Sequence, residues 1–314
     1  MDKQRLIGIL YVLIGAILWG IAGTVGQRLL QGEGIPVDWL VALRLTISGS
    51  LLLVVALFSK HRKLVFQVWR DLRSTLSLLV FSIFGMLAVQ YTFMVSIELG
   101  NAAVATLLQY QAPVFIFIYL VIRRMTVINA RDIFAIILAV TGTFLLLTNG
   151  SIHELAVPIP SVVWGLISGV TLAFYTLYAA HLIKKWGSLI VIGWSMVIGG
   201  TCLAIYHPPW NIDTTGWTMD TGLLLLFIVI FGTMIAFWFY VESLRFLKPA
   251  ETTLLGTVEP LTAVFSSVIW LKISFGELQL LGMILILLMV VYLAVFKDKR
   301  KDIPQSVAHD RPTL

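Results

Sequence analysis

The sequence predicts an all-α integral membrane protein with ten transmembrane helices, arranged as two inverted five-helix repeats. Three observations support this prediction. First, hydrophobic residues make up 59% of the 314 residues and charged residues only 12%, whereas a soluble domain carries about a quarter charged residues. Second, the apolar residues form runs of about 20, the length that crosses a bilayer. Third, the placement of the basic residues and an internal repeat both agree with ten such runs.

The ten apolar runs follow one another with short connections. We place them near 6–30, 37–58, 74–98, 101–122, 130–148, 160–184, 187–206, 220–245, 249–271 and 276–296. The first run follows a basic start, as a signal sequence does, but it is too long and lacks an A-x-A cleavage site. We therefore expect it to remain as the first helix. The single cysteine, Cys202, lies in the seventh run, so the sequence contains no cysteine pair for a disulfide or a metal site.

The basic residues are distributed unevenly between the two sides of the predicted bundle. With the N-terminus in the cytoplasm, the inner segments contain 19 of the 22 Lys and Arg residues. Arg28 and Lys272 fall outside, and Arg44 lies within a span. Such a bias is typical of cytoplasmic loops. It predicts a multi-pass protein of the cell membrane with both termini cytoplasmic, and it explains the net charge of +6 without a nucleic-acid partner.

Two segments of the chain resemble each other at a fixed distance. SIELGNAAVATLLQYQAP, from Ser96 to Pro113, matches SLRFLKPAETTLLGTVEP, from Ser243 to Pro260, with an offset of 147 residues. Spans three and four therefore correspond to spans eight and nine, and each half contains five spans. An odd number of spans reverses the orientation, which predicts an inverted repeat with a substrate site near the midplane. We assign 1–149 and 150–298 to the repeats and 299–314 to a cytoplasmic tail.

Three further segments carry a family resemblance: GAILWGIAGTVGQ in span one, VALRLTISG in span two, and TTLLGTVEPLTAVFSSVIWLKISFGELQLLGMILILLMVVYL near the end. Together they resemble the drug/metabolite transporter superfamily, specifically its ten-helix EamA-type members. The resemblance implies a secondary transporter of small organic molecules without ATP-binding machinery, and it favours export. One departure is RRMTVINARD, where a family member often has a second Gly-Glu, so we expect the symmetry of the repeats to be broken there.

Glu259 is the one acidic residue deep within a predicted span. It lies ten residues after Pro249, or ~15 Å into a helix that rises 1.5 Å per residue. A carboxyl at that depth is expected to face the bundle interior or a wet cavity. Glu259 is therefore a candidate for binding a proton or a cationic group of the substrate, or a neutral acid that holds a kink. Pro113 and Pro260 are the candidate kink or hinge positions, because proline removes a backbone hydrogen bond.

Arg44 is the only basic residue within a span. Three interpretations remain open from the sequence. It extends to the membrane surface, it ties helices together through a carboxylate or carbonyls, or it binds a carboxylate of the substrate.

Other polar and aromatic side chains at depth complete the candidate lining. Buried amides need hydrogen-bond partners, and substrate or protein groups would supply them. Aromatic side chains either line the site or only pack and anchor the helices. The candidates are Gln109, Gln111, Trp19, Tyr91, Tyr175, Tyr178 and Trp238. We identify no metal site and no motif for a cofactor.

These features predict an alternating-access secondary transporter that exports a small amphipathic metabolite such as an amino acid or amine, with proton coupling at Glu259. Its partners are the substrate, the lipid bilayer and protons. One alternative is an importer of a cationic amine through an aromatic pocket. An alternative of another class is a membrane-embedded enzyme, but the sequence places no cluster of catalytic side chains at a membrane face, so we do not expect an enzyme.

Overall fold

The computed structural model describes residues 3–59, 62–126, 128–151, 154–210 and 212–295. Within these ranges, ten helices are long and apolar enough to cross a membrane. We refer to them as spans one to ten, with the bounds Gln4–Gly32, Val37–Leu57, Leu72–Leu99, Ala102–Ile122, Ala130–Thr148, Ile159–Trp186, Ser188–Tyr206, Met219–Ser243, Glu251–Ile269 and Glu277–Val295. The predicted number of spans and the all-α class are confirmed. The predicted tail, 299–314, lies outside the described residues.

The two halves of the chain repeat the same elements. The helices Ala102–Gln109 and Pro249–Gly256 begin and end 147 residues apart, as do Ala130–Thr148 and Glu277–Val295. The repeat also extends further than the sequence comparison indicated. Spans three and eight each contain a π-helical turn, and both turns include an Ile-Phe-Gly triplet, at 83–85 and 230–232.

The repeats are intertwined. Span one packs against spans eight and nine, and its counterpart, span six, packs against spans three and four. Span two packs against span seven, and span five against span ten. Each of these contacts has a partner under exchange of the two repeats. The first span of each repeat therefore lies in the core of the other, and spans of both repeats surround the midplane.

Spans four and nine are both interrupted at mid-depth. The helix Ala102–Gln109 is separated from Ala112–Ile122, and Pro249–Gly256 is separated from Val258–Ile269. The reason lies in the two prolines, because Pro113 and Pro260 supply no N–H to the carbonyls of Gln109 and Gly256, four residues earlier. The two interruptions occupy equivalent places in the repeats.

The helix of span five begins where the departure from the family motif occurs. Asn129 and Asp132 form a reciprocal capping box around its first turn, with the Asn129 N–H donating to Asp132 Oδ2 at 3.0 Å. The equivalent helix of span ten begins at Glu277. A local cap therefore starts the helix at the equivalent position. The symmetry of the repeats is therefore broken here in the sequence, while the two helices begin at equivalent positions.

Spans one and nine approach each other closely at Gly20. A Cβ atom at Gly20 would lie 2.6 Å from the Glu259 carbonyl oxygen and 2.6 Å from Thr262 Cβ. We expect Gly20→Ala to destabilise the folded protein by about 1–3 kcal/mol, the usual effect of overpacking a rigid contact. The measurement is the thermal unfolding midpoint of the purified protein. Gly23→Ala is the matched control on the same helix, because the nearest atom to its Cβ would be at 3.5 Å. An equal effect of the two substitutions would contradict this account.

Candidate functional site

The two helix interruptions meet at Glu259. This residue lies in the first turn of Val258–Ile269 and is half-buried. Tyr110, in the interruption of span four, places its Oη 2.9 Å from Glu259 Oε2 and 3.0 Å from the Gly256 carbonyl oxygen. The Gly256 carbonyl is the one that Pro260 leaves without a helical partner. A side chain of one repeat thus binds the backbone and the carboxyl group of the other.

Tyr110 and Tyr240 lie beside the carboxyl group, and Trp19 and Tyr175 lie beside Tyr240. The ring centroids of Trp19 and Tyr240 are 5.0 Å apart, and Tyr240 lies within electrostatic range of both Glu259 and Tyr175. With Tyr110, these side chains come from five different spans: one, four, six, eight and nine. All five are half-buried and none is fully enclosed. The arrangement provides one carboxyl group among aromatic rings within the bundle.

Arg44 is buried, with only 3% of its surface exposed. Its Nε donates to Thr233 Oγ1 at 3.1 Å, whereas its Nη1 is buried without a hydrogen-bond partner. Among the described residues, no carboxylate forms an ion pair with it. Arg44 thus lies inside the bundle and joins span two to span eight through the hydroxyl group of Thr233. The guanidinium group thus has a hydrogen-bond partner at Nε and none at Nη1.

The sequence analysis missed Thr233, which holds Arg44. Thr233 lies in the π-helical turn Ile230–Ile235 and donates its hydroxyl hydrogen to the Ile228 carbonyl at 2.7 Å. In the same region Ser48, from span two, donates to the Val229 carbonyl at 2.8 Å. The Ile-Phe-Gly triplet shared with span three was the sequence feature that marked this turn.

The two glutamines of span four have partners within the protein. Gln109 Nε2 donates to Ser168 Oγ at 2.7 Å, and Gln111 Nε2 donates to Thr143 Oγ1 at 3.0 Å. These bonds link span four to spans six and five. The amides of Gln109 and Gln111 therefore serve helix contacts in this structure.

The remaining candidates lie in three separate places. Tyr91 lies within electrostatic range of Asp38 near the predicted outer face and packs near Trp164, with ring centroids 6.2 Å apart. Tyr178 packs against residues near the predicted inner end of span six. Trp238 packs against the same apolar cluster as Tyr175. The structure thus brings Trp19, Tyr175 and Glu259 together, and it places Arg44, Tyr91 and Tyr178 in other contacts.

Ion pairs join spans at the predicted inner face. Arg5 Nη2 lies 2.8 Å from Glu251 Oε1, which links span one to span nine. Lys185 donates to Asp71, which links span six to the start of span three. The Lys185 ammonium lowers the pKa of the exposed Asp71 carboxyl to about 2. Both pairs join spans of different repeats, so this face is tied together in the conformation described.

The family was identified by comparison with known proteins. The profile of the EamA-like transporter family matches this chain twice, over residues 6–148 and 159–295. The chain belongs to the EamA-like transporter family. It is a multi-pass membrane protein of the transporter type.

Relatives of this EamA-like chain are themselves named as transporters. An inner membrane transporter of Salmonella typhimurium, YicL, is 33% identical over 295 residues, covering 93% of this chain and 97% of the relative. The transporter YwfM of Bacillus subtilis is 25% identical over 302 residues, covering 93% and 95%. A solved crystal structure of a protein shares the fold with a TM-score of 0.61 at 17% identity, covering 94% of this chain and 97% of that one.

The charged residues of this EamA-like chain do not follow its repeat. At the offset of 147 residues, Glu259 corresponds to Ala112 and Arg44 corresponds to Val191. Ala112 and Val191 are both buried. The backbone is therefore duplicated, whereas the deeply placed carboxyl and guanidinium groups each occur once.

Proposed function

We propose that this chain is a secondary active transporter that exports a small amphipathic metabolite, such as an amino acid or an amine, by alternating access with proton coupling at Glu259. The observation that supports this proposal best is the position of Glu259. A single half-buried carboxyl group lies at an interrupted helix among aromatic side chains from other spans. An ionisable residue at this depth is by default a functional candidate.

The chemistry of the site suits a cationic amine. A carboxylate attracts an ammonium group, and neighbouring aromatic rings such as Trp19 and Tyr240 add cation–π attraction. A proton and an ammonium group would compete for Glu259, and this competition would couple substrate release to proton binding. The repeats, 1–149 and 150–298, would move around the helix interruptions. Arg44 lies outside this cluster, and its buried Nη1 without a partner would bind a carboxylate of the substrate in a conformation that exposes it.

A binding screen tests this function directly. We expect amphipathic amines and amino acids to raise the thermal unfolding midpoint of the purified protein, because a ligand that binds only the folded state stabilises it. At a ligand concentration 100 times the Kd, the stabilisation is about 2.7 kcal/mol. Sugars and dicarboxylates without an amine serve as the control set. No stabilisation by any cationic compound would contradict the proposed substrate class.

The orientation is a separate proposal: a cell-membrane protein with both termini cytoplasmic. We expect single cysteines at Ser151 or Thr214, introduced in a Cys202→Ala background, to react with an impermeant thiol reagent on intact cells. The reason is the bias of basic residues toward the opposite face. A cysteine at Met125, exposed in the predicted inner connection between spans four and five, is the protected control. Protection of both outer positions would overturn the orientation.

Import of a cationic amine is a second candidate. It is favoured by the aromatic side chains around a lone carboxyl group and requires no role for Arg44. Inside-out and right-side-out proteoliposomes under the same imposed gradient distinguish the two directions. An enzymatic activity is not part of the proposal, because the family and the named relatives are transporters.

A further inference from the structure

Tyr110 has one hydroxyl hydrogen and two acceptors within reach. Its Oη lies 2.9 Å from Glu259 Oε2 and 3.0 Å from the Gly256 carbonyl oxygen, and both distances are hydrogen-bond distances. One hydrogen serves two acceptors only as a shared, weaker three-centre bond, so two full hydrogen bonds require a second hydrogen. Tyr110 supplies one hydrogen, and a backbone carbonyl supplies none. The second hydrogen is present only when the carboxyl group of Glu259 is protonated.

The protonation state of Glu259 thus changes what Tyr110 binds. When Glu259 is protonated, its carboxyl O–H donates to Tyr110 Oη, and Tyr110 donates to the Gly256 carbonyl. When Glu259 is ionised, Tyr110 has only one hydrogen, and a carboxylate is a stronger acceptor than a neutral carbonyl. The Gly256 carbonyl then loses its donor, and Pro260 cannot replace it because it has no N–H.

We propose that Tyr110 is a positioning residue whose hydrogen bond depends on the protonation of Glu259. When the carboxyl group is protonated, Tyr110 donates to the Gly256 carbonyl and links span four to the interruption of span nine. When the proton leaves, this hydrogen bond is lost. This inference rests on the proposed role of Glu259 as the proton-binding residue. The inference adds a residue, Tyr110, whose hydrogen bonding changes when Glu259 binds or loses a proton. The hydrogen bond from Tyr110 to Gly256 lies at the contact between the two repeats, where alternating access requires movement.

Other titratable groups near Glu259 do not supply this link. Spans one, four and ten pack against span nine, and span eight carries the neighbouring Tyr240. The titratable groups of these spans and of span nine itself are Arg5, Tyr11, Arg28, Tyr110, Tyr119, Asp220, Tyr240, Glu242, Glu251, Glu277 and Tyr292. Among the described residues no charged side chain forms an ion pair with Glu259; Glu251 is paired with Arg5 and Glu242 with Arg245. Tyr240 lies within electrostatic range of Glu259, and its hydroxyl oxygen accepts from Thr253. Tyr110 alone contacts both the carboxyl group and the freed carbonyl.

Hydrogen–deuterium exchange of the backbone amides of residues 257–259, 261 and 262 tests the inference without transport. The infrared band of the protonated Glu259 carboxyl group is identified first, as the band that is absent from Glu259→Gln. Exchange of the purified protein is then measured at one pH at which this band is present and at one higher pH at which it has disappeared. After correction for the intrinsic rate, we expect wild-type exchange to be about fivefold faster at the higher pH, the factor for one lost hydrogen bond. Glu259→Gln should exchange slowly at both pH values, because its amide donates to Tyr110 in place of the acid.

Tyr110→Phe should exchange rapidly at both pH values, because the donor to Gly256 is gone. Tyr119→Phe, the same change at an exposed position of span four, is the matched control and should keep the wild-type difference between the two pH values. Equal corrected rates in the wild type, or a wild-type difference that persists in Tyr110→Phe, would overturn the inference. If Tyr110→Phe does not yield folded protein, the inference is tested by comparing the exchange rates of the wild type and Glu259→Gln at the two pH values. Gradient-driven flux is measured separately, so loss of the proposed coupling and loss of this link are distinguishable.

Discussion

Glu259→Gln is expected to fold and to lose transport driven by a proton gradient. The amide resembles the protonated acid in size and still hydrogen-bonds to Tyr110, so the contact between spans four and nine survives. It binds no proton, however, and carries no negative charge for an ammonium group. In proteoliposomes with an imposed pH gradient, we expect the flux of the variant to fall to that of empty liposomes. Substrate exchange without a gradient is expected to persist if the other contacts suffice for binding.

The same variant is expected to lose the pH dependence of amine binding. In the wild type, binding should weaken as the pH falls, because protonation of Glu259 removes the negative charge that attracts the ammonium group. In Glu259→Gln, binding should be weaker and nearly independent of pH. Glu277→Gln, an acid-to-amide change at the exposed start of span ten, is the matched control and should behave as wild type. Equal gradient-driven flux in wild type and Glu259→Gln would exclude Glu259 as the coupling residue.

Arg44→Met is expected to keep the protein folded and to weaken binding of substrates that carry a carboxylate. Replacing a buried charge that lacks an ionic partner by an apolar side chain of similar volume is often neutral or stabilising. Arg44 has one hydrogen bond, to Thr233, and a buried Nη1 without a partner. We therefore expect an unchanged or higher unfolding midpoint. Loss of charge-assisted hydrogen bonds should weaken binding of an amino acid by about tenfold to 100-fold.

The control for Arg44→Met is a second ligand, the amine formed by removing the carboxylate from the same amino acid. This amine should bind equally well to wild type and to Arg44→Met, because it has no carboxylate. Arg44→Lys keeps the charge but not the planar fork and should give intermediate affinity for the amino acid. If Arg44→Met does not fold but Arg44→Lys does, Arg44 has a structural role through its contact with Thr233 instead. Equal weakening for both ligands would also remove the carboxylate role.

The number and kind of helices could be predicted from the sequence because that information is local. A helix in a bilayer satisfies its own backbone hydrogen bonds and needs about 20 apolar residues. Each span therefore appears as a run in the chain without reference to its neighbours. The repeat was readable for the same reason, since Pro113 and Pro260 mark equivalent positions. Glu259 was recognisable as an ionisable residue in an otherwise apolar run.

The partners of the candidate residues could not be read in this way. Tyr110 stands between Gln109 and Gln111, and the sequence made the two amides the stronger polar candidates. In the structure both amides bind hydroxyl groups of neighbouring spans, whereas the tyrosine reaches Glu259. The interruption of the helix at Tyr110 decides which of the three side chains points to span nine. Arg44 offers a second case, because its burial and its contact with Thr233 follow from the π-helical turn of span eight.

The sequence by itself determined the membrane class, the ten spans, the duplicated backbone and the position of Glu259 within an apolar run. The tertiary structure decided that the repeats are intertwined, that Tyr110 joins Glu259 to Gly256, and that Arg44 keeps an unpaired nitrogen. The physical reason is the distance along the chain over which these contacts act. Tyr110 and Glu259 are 149 residues apart, and Arg44 and Thr233 are 189 apart. Contacts of that kind depend on which helix faces pack together, and in a uniformly apolar span the hydrophobic pattern does not distinguish one face from another.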